Sequence, residues 1–424
     1  MWEDNRRKHL IINIVLALVI LAVLAGLFLV MLHVRRQTQE HDEQLSEMYV
    51  QQKQQQDEAR QESVGAIQAA YDRDMQTVAE YLPGIVCWGD STTLGSSGNI
   101  SYPAVLKVYL DTYFCDIYDF RSTVENAEDY ARLKWDDYKV SVPVVNMGGG
   151  KENSYTVLGR SGAVPFTLAA EVTVPAGTEP VEIKLKSQGK QDVNPLTGGD
   201  AGINPVTVGG IEGTLSINSS AYYAKYYFTR SAAGKETVLP AETVVHTAAT
   251  DLYKDYIHVV FLGTFGSFTD PEDLVTQVKA LLARQAQNPD RFLVLGPCSI
   301  NGSFNSYTLN NIDTAMMQAF GSRYVNVRKY LMEDGLADAG MTATKDDLTR
   351  ISGGGVPKSF VSSADSSELN GKAYTLIGKL VYSRMETLGY FDEVYDELGI
   401  RETTKQILKD DPKYFESIIA NTLK

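Results

Sequence analysis

Residues Leu10 to Leu32 are almost wholly apolar, with Asn13 the one clearly polar member. At ~1.5 Å rise per residue this run spans roughly 35 Å as a helix, enough to cross a bilayer with some tilt. It is long for the core of a signal peptide. His33-Val34-Arg35-Arg36 follows it where a small-residue cleavage site would stand. The run therefore predicts an uncleaved, single-pass anchor in the cell membrane. Arg6, Arg7 and Lys8 precede it, and Arg35 and Arg36 follow it. Positive charge on the cytoplasmic side then places the N-terminus inside and the C-terminal bulk of the chain in an extracytoplasmic space.

After the anchor the chain is polar and rich in Gln and Glu up to about Leu82. Val64, Ile67, Tyr71, Met75, Val78 and Leu82 recur at helical spacing with some heptad character. Two readings stand: a solvated helical stalk, or a coiled coil that joins chains into a homo-oligomer. Pro83-Gly84 ends the helix.

The chain has 424 residues and a formal net charge of −14. That acidic balance argues against nucleic acid as a partner, because phosphate binding needs a basic face. The three cysteines, Cys87, Cys115 and Cys298, show no metal-type spacing with histidine. Neither a metal nor a cofactor is expected. Of the five histidines, none follows His258.

The globular part opens on Ile85-Val86-Cys87-Trp88-Gly89-Asp90-Ser91, a short apolar run that breaks into a turn and a helix start. Such a turn lifts the Ser91 hydroxyl to a sheet rim beside free backbone N–H groups. A nucleophile and a cradle for an oxyanion are what acyl chemistry needs. A second strand runs through Val144 into Asn146-Met147-Gly148-Gly149-Gly150. A third, Tyr256 to Leu262, ends at Gly263-Thr264-Phe265-Gly266, and further strands are expected at Phe292–Leu295 and Tyr324–Val327. Strands alternating with helices predict an α/β fold with a parallel sheet. From about Arg160 to Thr250 the chain turns to short alternating runs rich in Thr, Val, Gly and Tyr, the pattern of an all-β insertion, sandwich or small barrel.

These segments together resemble the SGNH (GDSL) hydrolases. Gly89-Asp90-Ser91 is similar to that family's first block and Asn146 to Gly150 to its second. Gly263 to Gly266 stands where its third block has an asparagine. Asp365-Ser366-Ser367-Glu368-Leu369-Asn370 is similar to its final Asp-x-x-His-x-Asn. The resemblance implies a flavodoxin-like three-layer α/β/α fold, with hydrolysis or transfer of acyl groups. It implies Ser91 and Asp365 as catalytic groups, Glu368 in place of the base histidine, and oxyanion donors from the backbone of Ser91 and of Gly150 or Lys151. Asp90, Asn146 and Phe265 would line the cleft. The expected organisation is a cytoplasmic tail (1–9), a transmembrane helix (10–32), a stalk (33–82), an SGNH-like domain in two parts (83–159 and 251–391) around the β insertion (160–250), and a helical tail (392–424).

The departures from the family bear on chemistry. Serine needs a base with pKa near 7, and an unperturbed glutamate at ~4.3 is a poor one. Burial beside Asp365 would raise it. Loss of one oxyanion donor costs roughly 10²–10³ in rate, and Phe265 has no donor where the family has asparagine. Among the histidines, His41 belongs to the stalk, His258 lies deep in a strand, and His246, in or just after the insertion, suits either an ordinary loop or strand histidine or one folded over the cleft. Tyr222, Tyr223, Tyr226 and Tyr227 suit either a sugar-stacking face or ordinary strand alternation, and Ser352 to Gly355 reads as a loop. Two functions remain open: a catalytically impaired protein that binds an acylated or glycan ligand or a protein partner, and an active ester hydrolase or acyltransferase working on cell-envelope or extracellular glycans through Ser91 with an atypical base.

Overall fold

The computed structural model describes residues 2–95, 100–115, 141–187, 193–218, 224–298, 300, 304–363, 367–399 and 412–423. The chain divides into two units, one holding Met1–Tyr71 and the other the described residues from Asp72 onward.

Helix α1 (Trp2–Tyr81) carries the apolar run. It is long and apolar enough to cross a membrane, and the apolar stretch buries nothing within the chain: Leu10, Leu21 and Leu29 are all exposed. In the second unit Met75, Val78 and Leu82 pack into the core beside Ile85 and Val142. The second half of the helical stripe therefore serves the fold of its own chain.

Five strands form a parallel sheet: β1 (Ile85–Gly89), β2 (Val144–Gly148), β3 (Ile257–Phe261), β4 (Phe292–Leu295) and β5 (Tyr324–Val325), in the order β5-β4-β3-β1-β2. β1 lies at register Gly89↔Gly148 on one side and Gly89↔Phe261 on the other. β1 and β3 are buried throughout, which explains their largely apolar sequences, His258 being the one ionisable side chain in β3. Alternate residues enter different cores, Ile85 and Cys87 one, Val86 and Trp88 another.

The expected flavodoxin-like three-layer α/β/α class is corrected by the structure. The fold is mixed: the long helix, the parallel sheet, and a seven-stranded antiparallel near-barrel sheet running from Phe166 to Thr247. With a further two-stranded pair, antiparallel strands outnumber parallel ones among the described residues. The physical reason is that the insertion closes its own apolar core around Phe166, Val206, Leu215, Phe228 and Val245. It is a second folded body of β-structure and not a loop laid on an α/β sandwich. Tyr226 packs into that core and Tyr227 faces the other way, as strand alternation demands. Tyr222 and Tyr223 lie outside the described residues.

Candidate functional site

The site is assembled from turns at the C-terminal ends of β1, β2 and β3. Beyond Gly89, Asp90 caps the short helix α2 (Ser91–Leu94), its carboxylate accepting from Thr92 N–H at 2.8 Å. α2 lies across the strand ends so closely that neither can carry a side chain. A Cβ on Gly148 would stand 2.1 Å from Leu94 N, and one on Gly89 2.1 Å from Thr93 Oγ1. Asn146 staples the turn: its Nδ2 donates to Thr93 O (3.1 Å) and Leu94 O (3.2 Å), and its Oδ1 accepts from Gly148 N–H (2.9 Å).

Ser91 is 8% exposed. Its Oγ accepts a hydrogen bond of 2.6 Å from the Lys151 N–H, the one bond it makes among the described residues. Of the two expected oxyanion donors of the second turn, Lys151 therefore meets Ser91, while Gly150 is packed against the backbone of Gly198. Lys151 has φ 59°, a left-handed conformation that disfavours a residue with a Cβ.

Behind this turn lies a buried ion pair that no sequence motif marks. α3 (Ser154–Arg160) starts on the cap of Asn153 and ends at Arg160. Arg160 Nε meets Glu152 at 2.7 Å, and Nη2 donates to Gly89 O (2.8 Å) and to Met147 O. The guanidinium also stands 5.6 Å from the centre of the Trp88 ring. One cation thus ties the ends of β1 and β2. The sequence carried only two opposite charges bracketing an uncharged stretch, Asn153 to Gly159.

The third turn joins the same group. Gly263 (φ 91°), Gly266 (φ 77°) and Ser267 (φ 70°) bend it, and Ser154 Oγ donates to Ser267 O at 2.7 Å. Phe265 is 37% exposed on this turn. Of the fourth motif, Asp365 lies outside the described residues. Glu368 is half-buried, with its carbonyl accepting from Ser362 N–H at 2.9 Å. Its carboxylate and that of Asp90 both act on the buried Tyr374 hydroxyl, which burial first of all pushes up in pKa. Asn370 caps the helix Gly371–Thr387 through Lys372 N–H and Ala373 N–H.

The electrostatics separate the acids. Burial pushes the Asp90 carboxyl up to about 7, against the pull of the Thr92 N–H, and Glu152 adds to the rise. Burial also raises Glu152, opposed by Arg160. His258 is fully buried in β3, takes a 3.1 Å bond from Trp88 Nε1 on Nδ1, and is pushed down by burial to about 4. It is neutral at pH 7 and faces the core. His246 is exposed on the strand Val244–Thr247 opposite Thr207, and His41 lies in α1. Ser91 hydrogen-bonds none of them. Ser352 to Gly355 closes the helix Lys345–Ser352, with Gly354 O accepting from Arg328 Nη1 at 2.9 Å.

Comparison of the chain with models of known protein families, with curated proteins and with solved structures finds no match.

Proposed function

We propose that this is a membrane-anchored protein that holds the acyl carbonyl of an acylated or glycan ligand at a serine-centred site without turning it over. The observation that carries the reading is the Lys151 N–H to Ser91 Oγ bond in a site where no histidine contacts the serine. A backbone N–H aimed at this point suits a carbonyl oxygen, and a serine with no base hydrogen-bonded to it among the described residues is a weak nucleophile. Descent from SGNH hydrolases is supported by the order of the four sequence motifs and by the convergence of the first three turns around Ser91. In this reading the N-terminus is cytoplasmic and the Ser91 site is extracytoplasmic. A homodimer made through that helix would draw on residues before Met75, since Met75, Val78 and Leu82 are committed to the core.

A second reading, an active ester hydrolase or acyltransferase, draws on one observation: Asp90, adjacent to Ser91, has its carboxyl near neutrality. Asp365 and Glu368 are the other acids it would use. A fluorophosphonate probe and p-nitrophenyl acetate, applied to the full-length protein and to Ser91→Ala, decide between the two. The binding reading expects neither labelling nor turnover above the Ser91→Ala background. Serine-dependent labelling with turnover would replace it with the enzymatic one.

A further inference from the structure

Residues 194–201 of the antiparallel insertion reach the Ser91 turn and the Arg160 behind it through Asn194, Gly198 and Ala201. Asn194 Nδ2 donates to the Lys151 carbonyl. Asn194 is itself held by Thr156: its Oδ1 lies 2.7 Å from Thr156 Oγ1, and its N–H donates to that oxygen at 2.9 Å. Gly198 runs backbone to backbone against Gly150, where a Cβ would stand 2.3 Å from Gly150 Cα. Ala201 O accepts from Arg160 Nη1 at 3.3 Å.

The bond to Lys151 is the informative one. The N–H of Lys151 belongs to the peptide before its Cα and the carbonyl to the peptide after it. Ser91 holds the first and Asn194 the second. Between them they fix both rotations at a residue whose φ of 59° would otherwise relax. We propose that Asn194 is a positioning residue: it locks the Lys151 turn so that its N–H faces Ser91 Oγ, and the insertion is thereby part of the ligand site. This rests on reading the Ser91–Lys151 pair as the point where a ligand carbonyl is held.

The test is amide hydrogen exchange resolved at Lys151, on the full-length protein in detergent micelles. Asn194→Asp keeps the acceptor oxygen but sets a carboxylate against the Lys151 carbonyl. Thr156→Val removes the hydroxyl that orients Asn194 with little change in volume. Both are expected to speed exchange at Lys151 roughly tenfold, about the worth of one hydrogen bond, while amides of the insertion strand Ile211–Asn218 keep their wild-type rates. Unchanged exchange at Lys151 in both variants would overturn the proposal. Faster exchange spread equally over Ile211–Asn218 would also overturn it, because it would mark Asn194 as a stabiliser of the insertion alone. Serine-dependent turnover by the wild type would sink the non-catalytic reading and leave the assignment of Asn194 standing.

Discussion

Arg160 and Glu152 meet at 2.7 Å with side chains 0% and 1% exposed, directly behind the turn that carries Ser91. Such a pair is costly to bury and costlier to break, since either partner alone is an unpaired charge in a dry interior. Its role here is geometric, because the same guanidinium takes the carbonyls of Gly89 and Met147 and stands over Trp88.

Arg160→Met should therefore cost about 3–5 kcal/mol in denaturant unfolding of the folded unit. The double variant Arg160→Met with Glu152→Leu should be less damaged than Arg160→Met alone, because it leaves no orphaned carboxylate. A single variant as stable as the wild type would show that Arg160 is solvated and not paired.

Asp90 gives a pH signature. Its folded pKa of about 7 lies above the ordinary 3.8, so between those values the folded state binds more protons than the unfolded one. Stability then falls as pH rises from about 4 to about 7, and levels off above that. His258 works in the opposite sense: its pKa falls from 6.5 to about 4, so the unfolded state binds the extra proton and stability rises with pH across that window. Asp90→Asn keeps an acceptor for Thr92 N–H and removes the first effect. Its unfolding midpoint should gain on the wild type as pH is raised from 4 to 7. Parallel curves for the two proteins would mean that Asp90 is charged in the folded state.

Gly148→Ala should be severe and Lys151→Gly mild. At Gly148 the added Cβ meets Leu94 N at 2.1 Å, and Leu94 belongs to the helix that begins at Ser91. Backbone must move, at a cost of about 1–3 kcal/mol or more. At Lys151 a glycine relieves the left-handed strain of about 1–2 kcal/mol, partly offset by its greater freedom when unfolded. Thermal unfolding of the two variants should move in opposite directions, or by clearly different amounts. Equal losses would argue that the Lys151 side chain holds the turn.

The apolar part of α1 makes a cellular prediction. Full-length protein should stay with membranes through alkaline carbonate washing, and removal of residues 1–36 should release it to the soluble fraction. The folded core keeps Met75, Val78 and Leu82 in that truncation. A truncated form still resisting the wash would point to a second membrane contact.

Much of this was local and so readable in one dimension. Leu10 to Leu32 is apolar at every turn. Gly89-Asp90-Ser91, Gly148-Gly149-Gly150 and Gly263 to Gly266 each stand at the end of a strand of the parallel sheet, where the chain must turn. The alternation between Phe166 and Thr247 marks strands because side chains on a strand change face at each residue. What no local pattern carries is partnership across the fold. Trp88 finds His258 across 170 positions, Arg160 finds Gly89 across 71, and Asn194 finds Lys151 across 43. The same holds for fold class: the strands were visible, but that the insertion would close a seven-stranded sheet on a core of its own was decided by register and pairing. Those are set only when distant segments meet and exclude water together.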